Sequence, residues 1–190
     1  MHTKSFITMG GGGGPVEVDE AFLGGNPRYM HKKRRLELHR QKNETAAWKT
    51  DRYPGKTDVM GMLDRNSRQV RATVVPNIRR ETLQNQILNE IEHGATVYTD
   101  SATAYYNLAT QNYIHETVTH IDEYVRGNVH TNNIENFWSL LKRGVIGTFH
   151  NVSKDYLPLY LNEFTFRHNF RHEPDQFRQL ISSVHQGNRN

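Results

Sequence analysis

The chain has 190 residues, 23% of them charged and 35% hydrophobic, with a formal charge of +4 and no cysteine. That length fits one domain with its own core, while the lack of cysteine excludes disulfides and thiolate metal sites and is compatible with a cytosolic protein. No apolar run approaches eighteen residues, so no transmembrane helix is expected, and the N-terminal MHTKSFITMGGGGGPVEV lacks the apolar centre of a secretory signal.

Gly10 to Gly14 are consecutive glycines that cannot hold one conformation cheaply, so residues 1–14 are expected to form a flexible leader. Pro15 then introduces PVEVDEAFLGG. Val16, Val18 and Glu20 face one way and Glu17 and Asp19 the other, the alternation of a strand that ends at Gly24-Gly25. Residues 26–57 form a basic segment, irregular or partly helical. Within it Arg28, Lys32, Lys33, Arg34, Arg35, Arg40 and Lys42 stand against the single acid Glu37, a footprint for phosphate backbones or simply a solvated basic loop.

Residues 58–64 and 68–75 read as two strands of a hairpin joined by Arg65-Asn66-Ser67 and ended by Pro76. Asn77 is placed to cap a helix over 78–93, with a stripe of Leu83, Ile87, Leu88 and Ile91 and a stop at Gly94. Residues 95–99 form a short strand running into Asp100. A short helix over 101–108 and a short strand over 116–120 follow. TNNIENFWSLLKRG, Thr131 to Gly144, places Ile134, Phe137, Trp138 and Leu141 at i, i+3, i+4 and i+7, so a helix is expected over 132–143. Glu135 flanks that apolar face and Lys142 stands about two turns further on. Asn132 and Glu135 also resemble a capping box. A last helix over 154–171 is expected to be capped by Ser153 and to carry Leu157, Tyr160, Leu161 and Phe164, with Pro158 tolerated near its first turn. The tail beyond Pro174 is helical for about two turns. Early antiparallel strands followed by strand–helix alternation point to an α/β fold with a mixed sheet flanked by helices.

Three carboxylates fall at telling places. Asp19 lies in the first strand. Asp100 ends the strand after the first long helix, where an open α/β sheet usually has its ligand crevice. Glu135 opens a later helix, with thirty-four residues between it and Asp100. If the first and fourth strands are neighbours, the two aspartates converge and a helix packed across them brings Glu135 within reach. Converging carboxylates raise one another's pKa and resist burial. Hard cations such as Mg2+ or Mn2+ neutralise them through oxygen ligands.

The segments VEVDEAFLGG, GKTDVMGMLDR, VYTDSATAY, HTNNIENFWSLLKRGVIGTFHNVS and YLNEFTFRHNFR, which together cover roughly residues 16–171, resemble the ISXO2-like, or IS1595-type, insertion-sequence transposases. The resemblance implies a ribonuclease H-like DDE catalytic domain over 15–175, with the leader 1–14 before it, the basic insertion at 26–57 and a C-terminal tail at 176–190. It implies Asp19, Asp100 and Glu135 as the metal-binding triad and Lys142 as the basic residue that follows the third acid. Asn132 or Asn133 could share the third-ligand role. Glu135 is favoured because a carboxylate binds magnesium better than an amide and because Lys142 stands two turns after it. The cofactor implied is a pair of Mg2+ or Mn2+ ions, and the activity is phosphodiester hydrolysis followed by strand transfer. Lys32, Lys33, Arg34, Arg35, Lys142 and Arg143 would meet DNA. The partners implied are element ends and target DNA and further copies of the chain, with no membrane and no small-molecule cofactor, in a bacterial cytoplasm at the nucleoid. Relatives of this type are expected to carry an N-terminal zinc ribbon or helix-turn-helix. Here a glycine-rich leader stands in that place, consistent with a fragment, a late start or a decayed element.

Two further readings stay open from the sequence. One is a nuclease or resolvase of the same fold that cleaves without joining, and the other is a decayed DNA-binding remnant. Among the eleven histidines, the pairs His115/His120 and His168/His172 lack any HExxH arrangement, so a zinc site is not expected. His150 is expected to contact DNA or to pack, and Trp138 to pack rather than stack on bases. Arg167 and Arg171 are placed to meet phosphates or solvent.

Overall fold

In a computed structural model of the chain, the described residues are 8–24, 31–33, 35–37, 40, 56–100, 103–118, 129–149, 152–175 and 178. Five strands build one sheet: β1 (Val16–Leu23), β2 (Thr57–Asp64), β3 (Val70–Val74), β4 (Thr96–Asp100) and β5 (Ile114–Val118). Their order across the sheet is β3-β2-β1-β4-β5. β1, β2 and β3 pair antiparallel, and β4 and β5 join parallel to β1. This is the expected mixed sheet, antiparallel first and then parallel. Three helices cover it: α1 (Arg80–Glu90), α2 (Asn132–Phe149) and α3 (Leu157–Asn169).

Alternation along β1 divides its side chains between two cores. Val16 and Val18 join Met60, Met62, Leu83, Ile87 and Ile91 on the α1 face. Ala21 and Leu23 join Val59, Leu63, Ile134, Phe137, Trp138 and Leu141 on the α2–α3 face. Because both faces are covered, the central strands are buried along most of their length. Each large apolar side chain taken out of water there stabilises the fold by about 1.5–3 kcal/mol.

Several boundaries differ from the sequence expectation, each for a local reason. α1 is shorter than 78–93. Asn77 stands outside it and accepts hydrogen bonds from the Arg79 N–H (3.0 Å) and the Thr82 hydroxyl (2.8 Å). At the other end Ile91 turns extended and bridges Met9, so the helix stops before Gly94. Leu88, expected on the buried stripe, is exposed, and Gln84 is buried instead, donating to the carbonyls of Ala104 and Tyr106. The expected helix over 101–108 is two 3-10 turns, Thr103–Tyr105 and Leu108–Gln111. α3 begins at Leu157 rather than Lys154, after a turn in which the Ser153 carbonyl accepts from the N–H groups of Tyr156 and Leu157.

α2 runs six residues past its expected end at 143, through Gly144 and Gly147 to Phe149. Gly144 is not a terminating glycine. A Cβ there would overlap the Phe164 ring of α3, so the residue sets how closely the two helices approach. Asn169, the last residue of α3, closes the free edge of β3: its amide accepts from the Val70 N–H (2.7 Å) and donates to the Val70 carbonyl (2.9 Å).

Within the segment expected to be a leader, Met9 is buried and exchanges backbone hydrogen bonds with Glu90 and Glu92. The Gly10 N–H donates to Asp64 (3.1 Å), and φ +86 makes glycine the fitting residue there. Residues 1–7, Arg34, most of the basic segment 26–57, His120, His150 and nearly all of the tail lie outside the described residues.

Candidate active site

β1 is hydrogen-bonded to β2 along all eight residues, from Val16↔Asp64 to Leu23↔Thr57. Against β4 it is paired at two positions, Val16↔Val97 and Glu17↔Tyr98. The two parallel strands then diverge, and the acids stand immediately beyond that point: Asp19 is two residues past Glu17, and Asp100 two past Tyr98. Carboxylate oxygens of Asp19, Glu20 and Asp100 gather here within 4.8 Å of one another. This fork is the switch point of the sheet, where the strand order runs through β2 and β3 on one side of β1 and through β4 and β5 on the other.

α2 crosses the same face. Ile134, Phe137, Trp138, Leu141 and Val145 press it onto the sheet, and the Trp138 ring lies where a Cβ on Gly61 of β2 would sit. That seating leaves Glu135 and Lys142 exposed on the flank that looks toward Asp19. Both act electrostatically on Asp19, as does Asp100. The four residues expected to act together, Asp19, Asp100, Glu135 and Lys142, therefore share one electrostatic neighbourhood.

Burial holds the Asp19 carboxyl up to about 6 against an ordinary 3.8, and the charges of Asp100 and Glu135 add to the rise. The Glu20 backbone N–H and the Lys142 ammonium oppose it. Since the folded state binds this proton more tightly than the unfolded one, the resulting stabilisation is complete below about pH 4 and is lost as pH rises through 6. Ionised Asp19 then costs the apo fold up to ~3 kcal/mol. Asp19→Asn, which mimics the protonated acid, is expected to raise the thermal midpoint at pH 7.5 by roughly 5 °C and to leave it unchanged at pH 4, as calorimetry of the metal-free protein would read.

The N-terminus of α2 differs from the expected capping box. Asn132 lies inside the helix and is exposed. The orphan N–H groups of Asn133 and Ile134 instead donate to the carboxylate of Glu17, each at 3.0 Å. Glu135 accepts from the Thr131 hydroxyl (2.7 Å). The Asn133 amide is engaged on both sides, donating to Glu17 (2.6 Å) and accepting from Arg68 (3.5 Å). Of the three candidates for the third ligand, only Glu135 carries a charge, and that charge acts on Asp19.

Glu17 and Glu20 are the residues that sequence reasoning missed. Glu17 is fully buried on β1 and pairs with Arg65 at 2.5 Å. Glu20 points to the α1 face, where the buried Tyr105 hydroxyl donates to it, yet its carboxylate reaches the fork. The alternation placed Glu20 correctly, but nothing local showed that two strands would part beside it.

Among the described residues, the metal-competent grouping contains no histidine. His115 shares a hydrogen bond with the Thr99 hydroxyl (2.9 Å). His168 packs edge-on against Phe137, and burial lowers it to about 4. Lys32, Lys33 and Arg35 are helical and exposed, and Arg143 is exposed on α2 with its Nε donating to the Ser139 carbonyl (3.4 Å). No helix among the described residues is long and apolar enough to cross a membrane.

Residues 12–169 match the model of the ISXO2-like transposase domain family. An uncharacterized transposase-like protein of Haemophilus influenzae is 31% identical over 101 residues, covering 53% of this chain and 81% of that protein. An uncharacterized protein in transposable element ISH50 of Halobacterium salinarum is 28% identical over 163 residues, covering 85% of this chain and 54% of that one. The chain thus spans about half the length of the second relative. Among solved structures, the catalytic core domain of BIV integrase is 11% identical with a TM-score of 0.45, over 91% of this chain and 97% of that one. The match covers the fork, the capped helix and the edge-closing α3 alike: the chain belongs to the ISXO2-like transposase domain family.

Proposed function

We propose that this domain performs the DNA cleavage and strand transfer of insertion-sequence transposition at the fork between β1 and β4. The observation that carries the reading is the meeting of Asp19 and Asp100 at that fork, with Glu135 and Lys142 in electrostatic reach, in a chain of a transposase family.

The donor set fits hard divalent cations. It is all oxygen, it gathers several negative charges, and one of its acids is raised by burial and by its neighbours, so a cation there relieves a standing repulsion. Asp19, Asp100 and Glu135 would hold Mg2+ or Mn2+, two ions in the usual arrangement, with Glu20 beside them. When bound, such ions supply Lewis acidity to both the attacking and the leaving oxygen of a phosphodiester.

The chain's own groups do the remaining work. Asp19 and Asp100, on rigid strands, fix the acidic centre with little freedom to lose. Glu135 closes it from α2. Lys142 lies about 10 Å further along the helix axis, where its ammonium meets a phosphate flanking the reacting one, and Arg143 extends that basic edge. Lys32, Lys33, Arg34 and Arg35 add a second phosphate-binding surface, so affinity for DNA falls steeply with salt. The substrates are element ends and target DNA, bridged by more than one copy of the chain, in a bacterial cytoplasm at the nucleoid.

The test is a gel assay on duplexes carrying the terminal sequences that flank the gene, with Mg2+ or Mn2+. Cleaved and joined products are expected. Products that stop at cleavage would instead fit a nuclease or resolvase. Absence of metal-dependent cleavage, together with no heat on Mg2+ titration, would fit a DNA-binding remnant.

A further inference from the structure

We infer that Glu17 and Arg65 form a positioning pair that sets the spacing of Asp19, Asp100 and Glu135. The inference rests on the reading of those acids as the metal-holding set. Glu17 is a buried carboxylate with four donors on it. Arg65 Nε (2.5 Å) and Asn133 Nδ2 (2.6 Å) donate to Oε1, and the N–H groups of Asn133 and Ile134 (3.0 Å each) donate to Oε2. Arg65, in the turn after β2, reaches further: its Nη2 donates to the His130 carbonyl (2.8 Å) and lies 2.7 Å from His130 Nδ1. Its guanidinium lies over the Tyr98 ring, with Cζ 4.9 Å from the centroid.

The pair thus touches each element that carries an acid, and in each case the point of contact is two residues ahead of it. Glu17 precedes Asp19 on β1, Tyr98 precedes Asp100 on β4, and Asn133 precedes Glu135 on α2. On a strand, two residues is about 7 Å and returns to the same face. On a helix it is about 3 Å of rise. From one buried ion pair to each acid the chain is therefore short and regular, with little slack. The fork needs such a device, because β1 and β4 stop pairing just before the aspartates. α2 is tied to the sheet near Glu135 by these charge-assisted bonds to Glu17, in addition to its apolar face. A Lys in place of Arg65 would keep the charge but lose the planar fork. A Gln in place of Glu17 offers one acceptor oxygen where two are used, so one donor set loses its partner.

The experiment uses the full chain and the variants Glu17→Gln, Arg65→Lys and Ile87→Ala, the last a core truncation on the opposite face of the sheet. Hydrogen exchange is read without metal, and Mn2+ affinity by electron paramagnetic resonance. In the wild type, the Asn133 and Ile134 amides, ordinarily free in the first turn of a helix, are expected to be protected, and in Glu17→Gln to exchange roughly tenfold faster. Mn2+ affinity is expected to fall about 10- to 100-fold in Glu17→Gln and Arg65→Lys. It should stay within about twofold of wild type in Ile87→Ala despite that variant's lower stability. Unprotected amides in the wild type, or wild-type Mn2+ affinity in Arg65→Lys, would overturn the inference. Protected amides in a wild type that binds no Mn2+ would leave the cap standing and overturn the metal reading and the coupling built on it.

Discussion

Asp19→Ala or Asp100→Ala is expected to reduce metal-dependent DNA cleavage and joining by about 1000-fold or more, equivalent to ~4 kcal/mol of barrier. Each aspartate sits on a strand just past the last β1–β4 pair, and Glu20, the other carboxylate at the fork, is engaged by the Tyr105 hydroxyl. Glu135→Gln keeps the shape and the Thr131 hydrogen bond but removes the charge, and is expected to lose a comparable factor. Glu163→Gln, on the exposed ion pair with Arg167 of α3, removes a carboxylate outside the fork and should change activity by less than about twofold. Because Asp19→Asn is expected to stabilise the metal-free protein at neutral pH, lost activity with a raised melting midpoint would separate chemistry from folding. Cleavage assays beside calorimetry on the same preparations would read both.

The second large effect is in packing. Trp138→Ala is expected to cost about 3–5 kcal/mol, since the ring is buried between α2 and the sheet. Gly61→Ala should cost about 1–3 kcal/mol on its own, because the new Cβ would meet the Trp138 ring and Ile134. In the double variant the clash with the ring is gone and the added methyl fills part of the space, so the two costs should fall short of their sum by about 1 kcal/mol or more. Denaturant unfolding of the four proteins closes the cycle. Additive costs would mean that the ring does not rest on Gly61. Trp138→Ala should also lower activity, because the helix that loses its seat is the one that carries Glu135 and Lys142.

What could be read from the sequence, and what could not, follows the range of the forces. The alternation of VEVDEAFL, the hairpin and the apolar face of α2 are signals within a few residues, and each element formed where expected, though α2 runs six residues beyond its expected end. The convergence of Asp19 with Asp100 was legible because it needed only β1 beside β4, the neighbours at the point where the order of an open α/β sheet reverses. Glu17 was not legible. Its partners are 48, 116 and 117 residues away, and within its own strand it looks like a solvent-facing acid. The Asn132–Glu135 spacing offered a local cap, and the distant carboxylate took that place. The helix was expected to end at 143, just before Gly144, yet it continues to Phe149, and the Phe164 ring packed against that glycine comes from a helix further along the chain. Met9 likewise pairs with Ile91 across the fold, a contact that a run of glycines beside it concealed.

The most direct test of the central claim is anomalous diffraction from crystals of the wild-type chain soaked in Mn2+. An anomalous peak is expected at the fork, held by Asp19 and Asp100, and it should vanish in Asp100→Ala crystals grown and soaked in the same way. No peak at those two carboxylates at millimolar Mn2+, or the same peak in the variant, would contradict a metal-dependent phosphoryl-transfer centre between β1 and β4.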